Sequence, residues 1–185
     1  TLDLSDPENP EIQGELKLPG FSRYLHPLSE DRVLGIGEED GQVKATVFDV
    51  SDPENPTVAE SRILDARWSA VAQTHHAFLY DQRHDVFFLP TERGGYVFDT
   101  ELNQRAFVRT DEPATRAAYV GDYLYVFSND GLTVVDEETW EPVSEVPFDR
   151  DTVDEEPTEP VGDPVDPEPR PGDEPVWPVE PVDAE

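Results

Sequence analysis

Leu2-Asp3-Leu4-Ser5-Asp6-Pro7-Glu8-Asn9-Pro10 returns as Phe48-Asp49-Val50-Ser51-Asp52-Pro53-Glu54-Asn55-Pro56, 46 residues further on. Weaker echoes follow at Val97-Phe98-Asp99-Thr100 and Val134-Val135-Asp136-Glu137, at spacings of 50 and 37. These spacings bracket the 40–50 residues that one four-stranded repeat unit occupies. Each echo is an apolar run that ends in Asp and a turn, the pattern of a third strand meeting the turn into an outer strand. In Ser-Asp-Pro-Glu-Asn-Pro each proline fixes φ and lacks a donor, so neither a helix nor a central strand passes through. Ser and Asp close such turns with side-chain hydrogen bonds. Asp3, Asp49, Asp99 and Asp136 could form a calcium ladder, but they read more simply as strand-terminating turn formers.

Between the turns lie short β-rich runs: 32–37, 43–48, 85–89, 95–98, 123–127 and 132–135. Most are bounded by Gly, Asp, Asn or Pro. Several are continuously apolar rather than alternating, as strands covered on both faces are. Apolar residues nowhere recur at helical spacing over a useful length, so helix is expected to be close to nil. The fold class that follows is all-β: a partial β-propeller of about three four-stranded antiparallel blades. The blades are expected at about 21–64, 67–110 and 115–148, preceded by the outer strand of an incomplete blade near 11–18. A closed propeller has at least four blades, and the chain contains no Met. Thr1 is therefore expected to be a cut, with further blades preceding it. An open arc would leave two blade faces exposed and able to self-associate.

Residues 149–185 are different material, with 14 acids, nine prolines and two bases. Such density of proline and like charge predicts a disordered, extended acidic tail. Val176-Trp177-Pro178-Val179 is its apolar patch.

The whole chain carries 43 acids against 13 bases, a net charge of −30, and eleven of those bases are Arg. One reading of such charge is disorder, which suits the tail but not the regular strand runs. The other is adaptation to concentrated salt, where the Debye length falls to roughly 3 Å and self-repulsion fades. Nucleic acid is not an expected partner, because Lys/Arg clusters for phosphate contacts are lacking. Cysteine is absent, which excludes disulfides and thiolate metal sites. No stretch reads as a transmembrane segment or as a signal peptide.

Gly20-Phe21-Ser22-Arg23-Tyr24-Leu25-His26-Pro27, Leu34-Gly35-Ile36-Gly37, the 48–53 turn and His75-His76-Ala77-Phe78-Leu79 occur in order. With these motifs, residues 2–135 resemble the secreted β-propeller domain family distantly related to WD40 repeats. The resemblance implies an extracellular or cell-surface location and brings no catalytic residues with it.

Candidate chemistry is sparse. A His-carboxylate metal site near the propeller axis could draw on His26 and His75 from neighbouring blades. The simpler reading has both donating to backbone carbonyls and fixing the inter-blade register. His75 and His76 are adjacent, so on a strand they would point to opposite faces and not share an ion. Ser22 and Ser69 lie in no nucleophile motif. Gly35-x-Gly37 runs into Glu38-Glu39-Asp40, which would repel a phosphate, and Arg93-Gly94-Gly95 reads as a hairpin turn. No cofactor and no catalytic residue is expected. The leading expectation is a non-enzymatic binding or scaffold module that engages a surface protein or a glycan. The rivals are a metal- or cofactor-dependent enzyme with an axial site completed by other blades, and a split-gene fragment without a function of its own.

Overall fold

The computed structural model describes residues 1–148; the expectations for the acidic tail and for 176–179 lie outside the described residues. Fourteen strands form one two-stranded ladder and three four-stranded antiparallel sheets. The first blade is β3 (Phe21–Pro27), β4 (Arg32–Glu39), β5 (Gln42–Asp49) and β6 (Thr57–Ile63). The second is β7 (Leu79–Asp81), β8 (Val86–Thr91), β9 (Gly94–Asp99) and β10 (Gln104–Arg109). The third is β11 (Ala114–Val120), β12 (Tyr123–Ser128), β13 (Gly131–Asp136) and β14 (Pro142–Pro147). In each blade the strands follow one another in sequence order, a meander in which every strand pairs antiparallel with the next.

The echo residues end the third strand of each blade, and their carboxylates build the turns. Asp49 Oδ1 accepts from the Ser51 amide at 3.0 Å and from the Ser51 hydroxyl at 2.6 Å. Asp99 accepts from the Glu101 and Asn103 amides, and Asp136 from those of Glu138 and Thr139. The two Ser-Asp-Pro-Glu-Asn-Pro copies repeat one bond set. Asp6 and Asp52 each accept the amide two residues on (3.1 and 3.0 Å), and the following Asn donates back to each at 2.9 Å.

Ahead of the blades, β1 (Leu2–Asp3) pairs with β2 (Glu11–Ile12) around the first copy of the turn. The outer strand expected over 11–18 is thus only two residues long, because β1 offers two residues to pair with. Beyond it the chain lies along the second copy of the turn: a Cβ on Gly14 would stand 2.4 Å from the Pro53 carbonyl oxygen.

Two cores separate the three blades. Leu34, Ile36, Ala45 and Val47 of the first blade pack with Phe87, Leu89 and Phe98 of the second. Val86, Phe88, Val97 and Val108 of the second pack with Leu124, Val126 and Val135 of the third. Successive residues of a strand point to opposite faces, so β8 sends Phe87 and Leu89 one way and Val86 and Phe88 the other. All six of its residues are buried, which explains its unbroken apolar run. The outward faces of the arc carry exposed apolar side chains: Phe21 and Leu25 (56% and 59%) on the first blade, Tyr123 and Val146 on the third. No helix among the described residues is long and apolar enough to cross a membrane.

Candidate functional site

The first strand of the second blade is interrupted. Ser69 bridges to Thr91, and the next rung is Leu79 with Phe88. Only Leu89 and Pro90 separate those rungs on β8, while nine residues, 70–78, leave the sheet opposite them. The excursion holds two 3₁₀ turns, Ala70–Ala72 and His75–Ala77. Ser69 Oγ accepts from the Val71 amide at 3.3 Å, and Thr74 Oγ1 from the His76 amide at 3.4 Å. Such local side-chain bonds compete with the strand ladder. Ala70, Val71 and Ala77 are buried and root the loop, whereas residues 72–76 are exposed. The strand geometry expected for His75 and His76 is therefore corrected: both sit in a 3₁₀ turn, with ring centroids 3.9 Å apart.

His26, on β3, belongs to a different environment. Its Nδ1 lies 3.0 Å from the Tyr24 hydroxyl, and its ring packs on Phe78 (4.7 Å) and Tyr80 (5.6 Å) of the next blade. Burial lowers its pKa from the usual 6.5, favouring the neutral imidazole. His26 thus bridges the first and second blades through its ring alone, while its Nδ1 is held by the Tyr24 hydroxyl of its own strand rather than by the backbone carbonyl expected.

Beside the excursion an open groove of about 300 Å³ is lined by Trp68, Arg67, Gln73, Arg23 and Glu38, among others. Glu92, in the β8–β9 turn, accepts the backbone amides of Arg67 and Trp68 at 2.9 and 3.2 Å, which fixes the groove wall. Arg23 donates to Glu38 Oε2 through both Nε and Nη2. The groove thus joins a half-buried indole to a guanidinium–carboxylate pair. Two of the chain's 13 bases meet in it, so it is less negative than the surface at large.

A second cluster lies at the seam of the second and third blades. Asp81 ends β7, His84 sits in the β7–β8 turn, and Glu137 follows β13. Asp81 Oδ1 accepts the Arg83 amide at 2.8 Å, and Asp81 Oδ2 stands 2.7 Å from His84 Nδ1. Glu137 Oε2 is 3.4 Å from the same nitrogen. The Glu137 side chain is 1% exposed, and neither of its oxygens has a hydrogen-bond partner. Val86, Leu124 and Trp140 line the space around it. Burial, and then the negative charge of Asp81, raise the Glu137 carboxyl above its ordinary range; His84 opposes the shift. The two carboxyls face each other, a contact that is a hydrogen bond only when one carries a proton.

Among the described residues this is the cluster of three whose ligand atoms all lie within 4.8 Å of one another. His26 and His75 are outside it. Sequence reasoning weighed other histidines and passed over His84. The available signal was Asp81-x-x-His84, a spacing that closes a carboxylate on an imidazole across a tight turn. Glu137 gave none, since the fold alone brings it there from another blade.

A model of the beta propeller domain family matches residues 1–140. An uncharacterised protein of Archaeoglobus fulgidus is 47% identical over 145 residues, and one of Methanocaldococcus jannaschii is 40% identical over 152. Those alignments cover 78% and 80% of this chain but only 23% and 24% of the relatives. The chain therefore spans about a quarter of the length of the curated relatives it matches. Among solved structures, BamB from Moraxella catarrhalis matches with a TM-score of 0.50 at 13% identity, over 72% of this chain and 38% of that one. The dihydro-heme d1 dehydrogenase NirN also matches with a TM-score of 0.50, at 10% identity, over 70% of this chain and 28% of that one. At such identities the likeness concerns the fold alone.

Proposed function

The chain belongs to the β-propeller domain family, and from that premise we propose that it is a non-enzymatic binding and scaffold module. It acts outside the cell or at the cell surface, in concentrated salt, and engages a surface glycan or protein through the face that carries the 70–78 excursion. The observation that carries this reading is the excursion itself. Binding residues concentrate on loops held by a rigid scaffold. Here Gln73, Thr74, His75 and His76 are exposed on a loop rooted by three buried residues in the middle blade. The adjoining groove supplies what a sugar or a polar peptide needs: an indole face for apolar contact, with charged and amide side chains for hydroxyls or backbone groups. Of the two ligands the glycan fits better, because one aromatic face beside a few convergent polar groups matches a single pyranose ring. The −30 net charge supports the high-salt setting, and the family resemblance supports the location.

The test is a glycan array, followed by titration calorimetry of any hit, in molar KCl. We expect saturable binding that weakens at least tenfold in the exposed double variant His75→Ala/His76→Ala and in Arg67→Ala. A ligand bound equally well by both variants would remove the excursion face from the account. An empty array together with binding to a purified surface protein that the same variants abolish would transfer the site to a protein ligand.

A further inference from the structure

We propose that Asp81, His84 and Glu137 form a divalent transition-metal site, of the kind that takes Zn²⁺, clamping the seam between the second and third blades. This goes beyond the binding reading and does not depend on it. The argument starts from Glu137. A carboxylate withdrawn from water needs donors or a counter-charge, and an isolated one is too costly to keep ionised. Glu137 is buried among Val86, Leu124 and Trp140 with both oxygens unpartnered, and the carboxylate of Asp81, itself 2% exposed, faces it. A proton shared between the two carboxyls would satisfy one Glu137 oxygen and leave the other without a donor. His84 offers a single nitrogen to both carboxylates. A dication among the three groups answers both needs, since it neutralises the pair and draws on an oxygen of each.

The ligand set and spacing suit a transition metal. One imidazole with two carboxylates is too oxygen-poor for Ca²⁺, which takes six to eight oxygens, and imidazole favours Zn²⁺ over Mg²⁺. Bonds of about 2.0–2.2 Å in a tetrahedron place ligand atoms about 3.3 Å apart. His84 Nδ1 and Glu137 Oε2, at 3.4 Å, already have that separation. The Asp81–His84 contact at 2.7 Å has to open by about half an ångström. The amide of Arg83 holds the other Asp81 oxygen at 2.8 Å, orienting the carboxylate as outer partners of metal ligands do. The His84 side chain is 28% exposed, so the cluster meets solvent at its imidazole, which gives an ion a way in. Next to it Arg83 donates to the Gly121 carbonyl at 2.6 Å and pairs with Asp122, holding the two turns of the seam together.

The experiment is calorimetric titration of the 185-residue chain with Zn²⁺ in molar KCl, where diffuse cation binding to the acidic surface is screened. We expect one Zn²⁺ per chain, bound at least tenfold more weakly by Glu137→Gln and by His84→Gln, and as tightly by the seam control Asp122→Asn. At a hundredfold excess over Kd the ion should raise the thermal midpoint by about 5–10 °C. Co²⁺ in place of Zn²⁺ should give visible absorption bands of a four-coordinate ion, absent in His84→Gln. If either substitution prevents folding, imidazole resonances of the unsubstituted chain decide. Zn²⁺ must shift His84 and leave His26 in place. No saturable Zn²⁺ site, a site kept by His84→Gln, or a shift confined to His75 and His76 would overturn the proposal.

Discussion

Gly95 is the residue on which the seam between the second and third blades can be tested most sharply. It lies on β9, and an added Cβ would stand 2.0, 2.2 and 2.9 Å from three atoms of the Phe88 ring. Phe88 is 2% exposed and packed between blades, so the ring has no free direction in which to retreat. Gly95→Ala should therefore overpack the core at about 1–3 kcal/mol. Restricting the unfolded chain returns about 0.4–1 kcal/mol where the backbone accepts Ala. Mid-range values leave a net loss of about 1.3 kcal/mol, or about 3–5 °C in the thermal midpoint of a chain this size. Phe88→Leu alone should cost about 1–2 kcal/mol, well below the 3–5 of a full truncation. If the ring is the obstacle, the double variant should be no less stable than Phe88→Leu, a favourable coupling of at least about 1 kcal/mol. Denaturant unfolding of the four proteins in molar KCl measures the cycle. Free energies that simply add, within about 0.5 kcal/mol, would refute the packing described for β8 and β9.

Two further outcomes follow from charge. With −30 on 185 residues, the thermal midpoint and the β-sheet circular dichroism should rise from dilute buffer to molar KCl as self-repulsion is screened; a midpoint that is flat or falls with salt contradicts the high-salt reading. Burial pushes the Asp99 carboxyl up, but the hydrogen bonds from Asn103 and from the amides of Asn103 and Glu101 outweigh it and hold the pKa below the usual carboxylate value. Its stabilisation is therefore complete above about pH 4 and lost as the pH falls through the lower folded value. Acid titration of stability should be shallower in Asp99→Asn over that window, and an unchanged slope would count against the turn's electrostatics.

The parts of this fold that could be read in the sequence are those whose physics is local. Asp49, Asp99 and Asp136 mark the end of the third strand in every blade because an Asx turn needs only the residues next to it. The run Val86-Phe87-Phe88-Leu89 announced a strand covered on both sides, and both cores meet on it. Where local signals are weak or conflict, single strands went unread, although the four-stranded blade that holds them was expected over 115–148. β14 begins and ends in proline and is exposed along its whole length, so nothing apolar marks it. β11 is three-sevenths alanine, a residue without strand preference. The 70–78 excursion arises because Ser69 and Thr74 cap 3₁₀ turns, and the same residue types stand unremarked in strands elsewhere. The seam cluster was out of reach for another reason. His84 and Glu137 are brought together by the docking of two blades, which no short-range pattern encodes.

The middle blade bears both features of interest, and its burial explains why it can. Its second strand is held from both sides by apolar cores, while the first and third blades each turn one face outward. A loop that leaves the most constrained sheet loses little further freedom when a ligand orders it, so less binding energy goes into ordering. The same constraint acts at the seam. Asp81 and His84 hang from the strand and turn that enter β8, whose Val86 and Phe88 pack against the third blade, so their separation from Glu137 is set by blade docking rather than by side-chain choice. Loosening that docking, as Gly95→Ala should, would therefore disturb the carboxylate cluster as well as the core. The excursion is anchored through Ala70, Val71 and Ala77 in the other core, so a defect at the second seam should leave the loop face less affected.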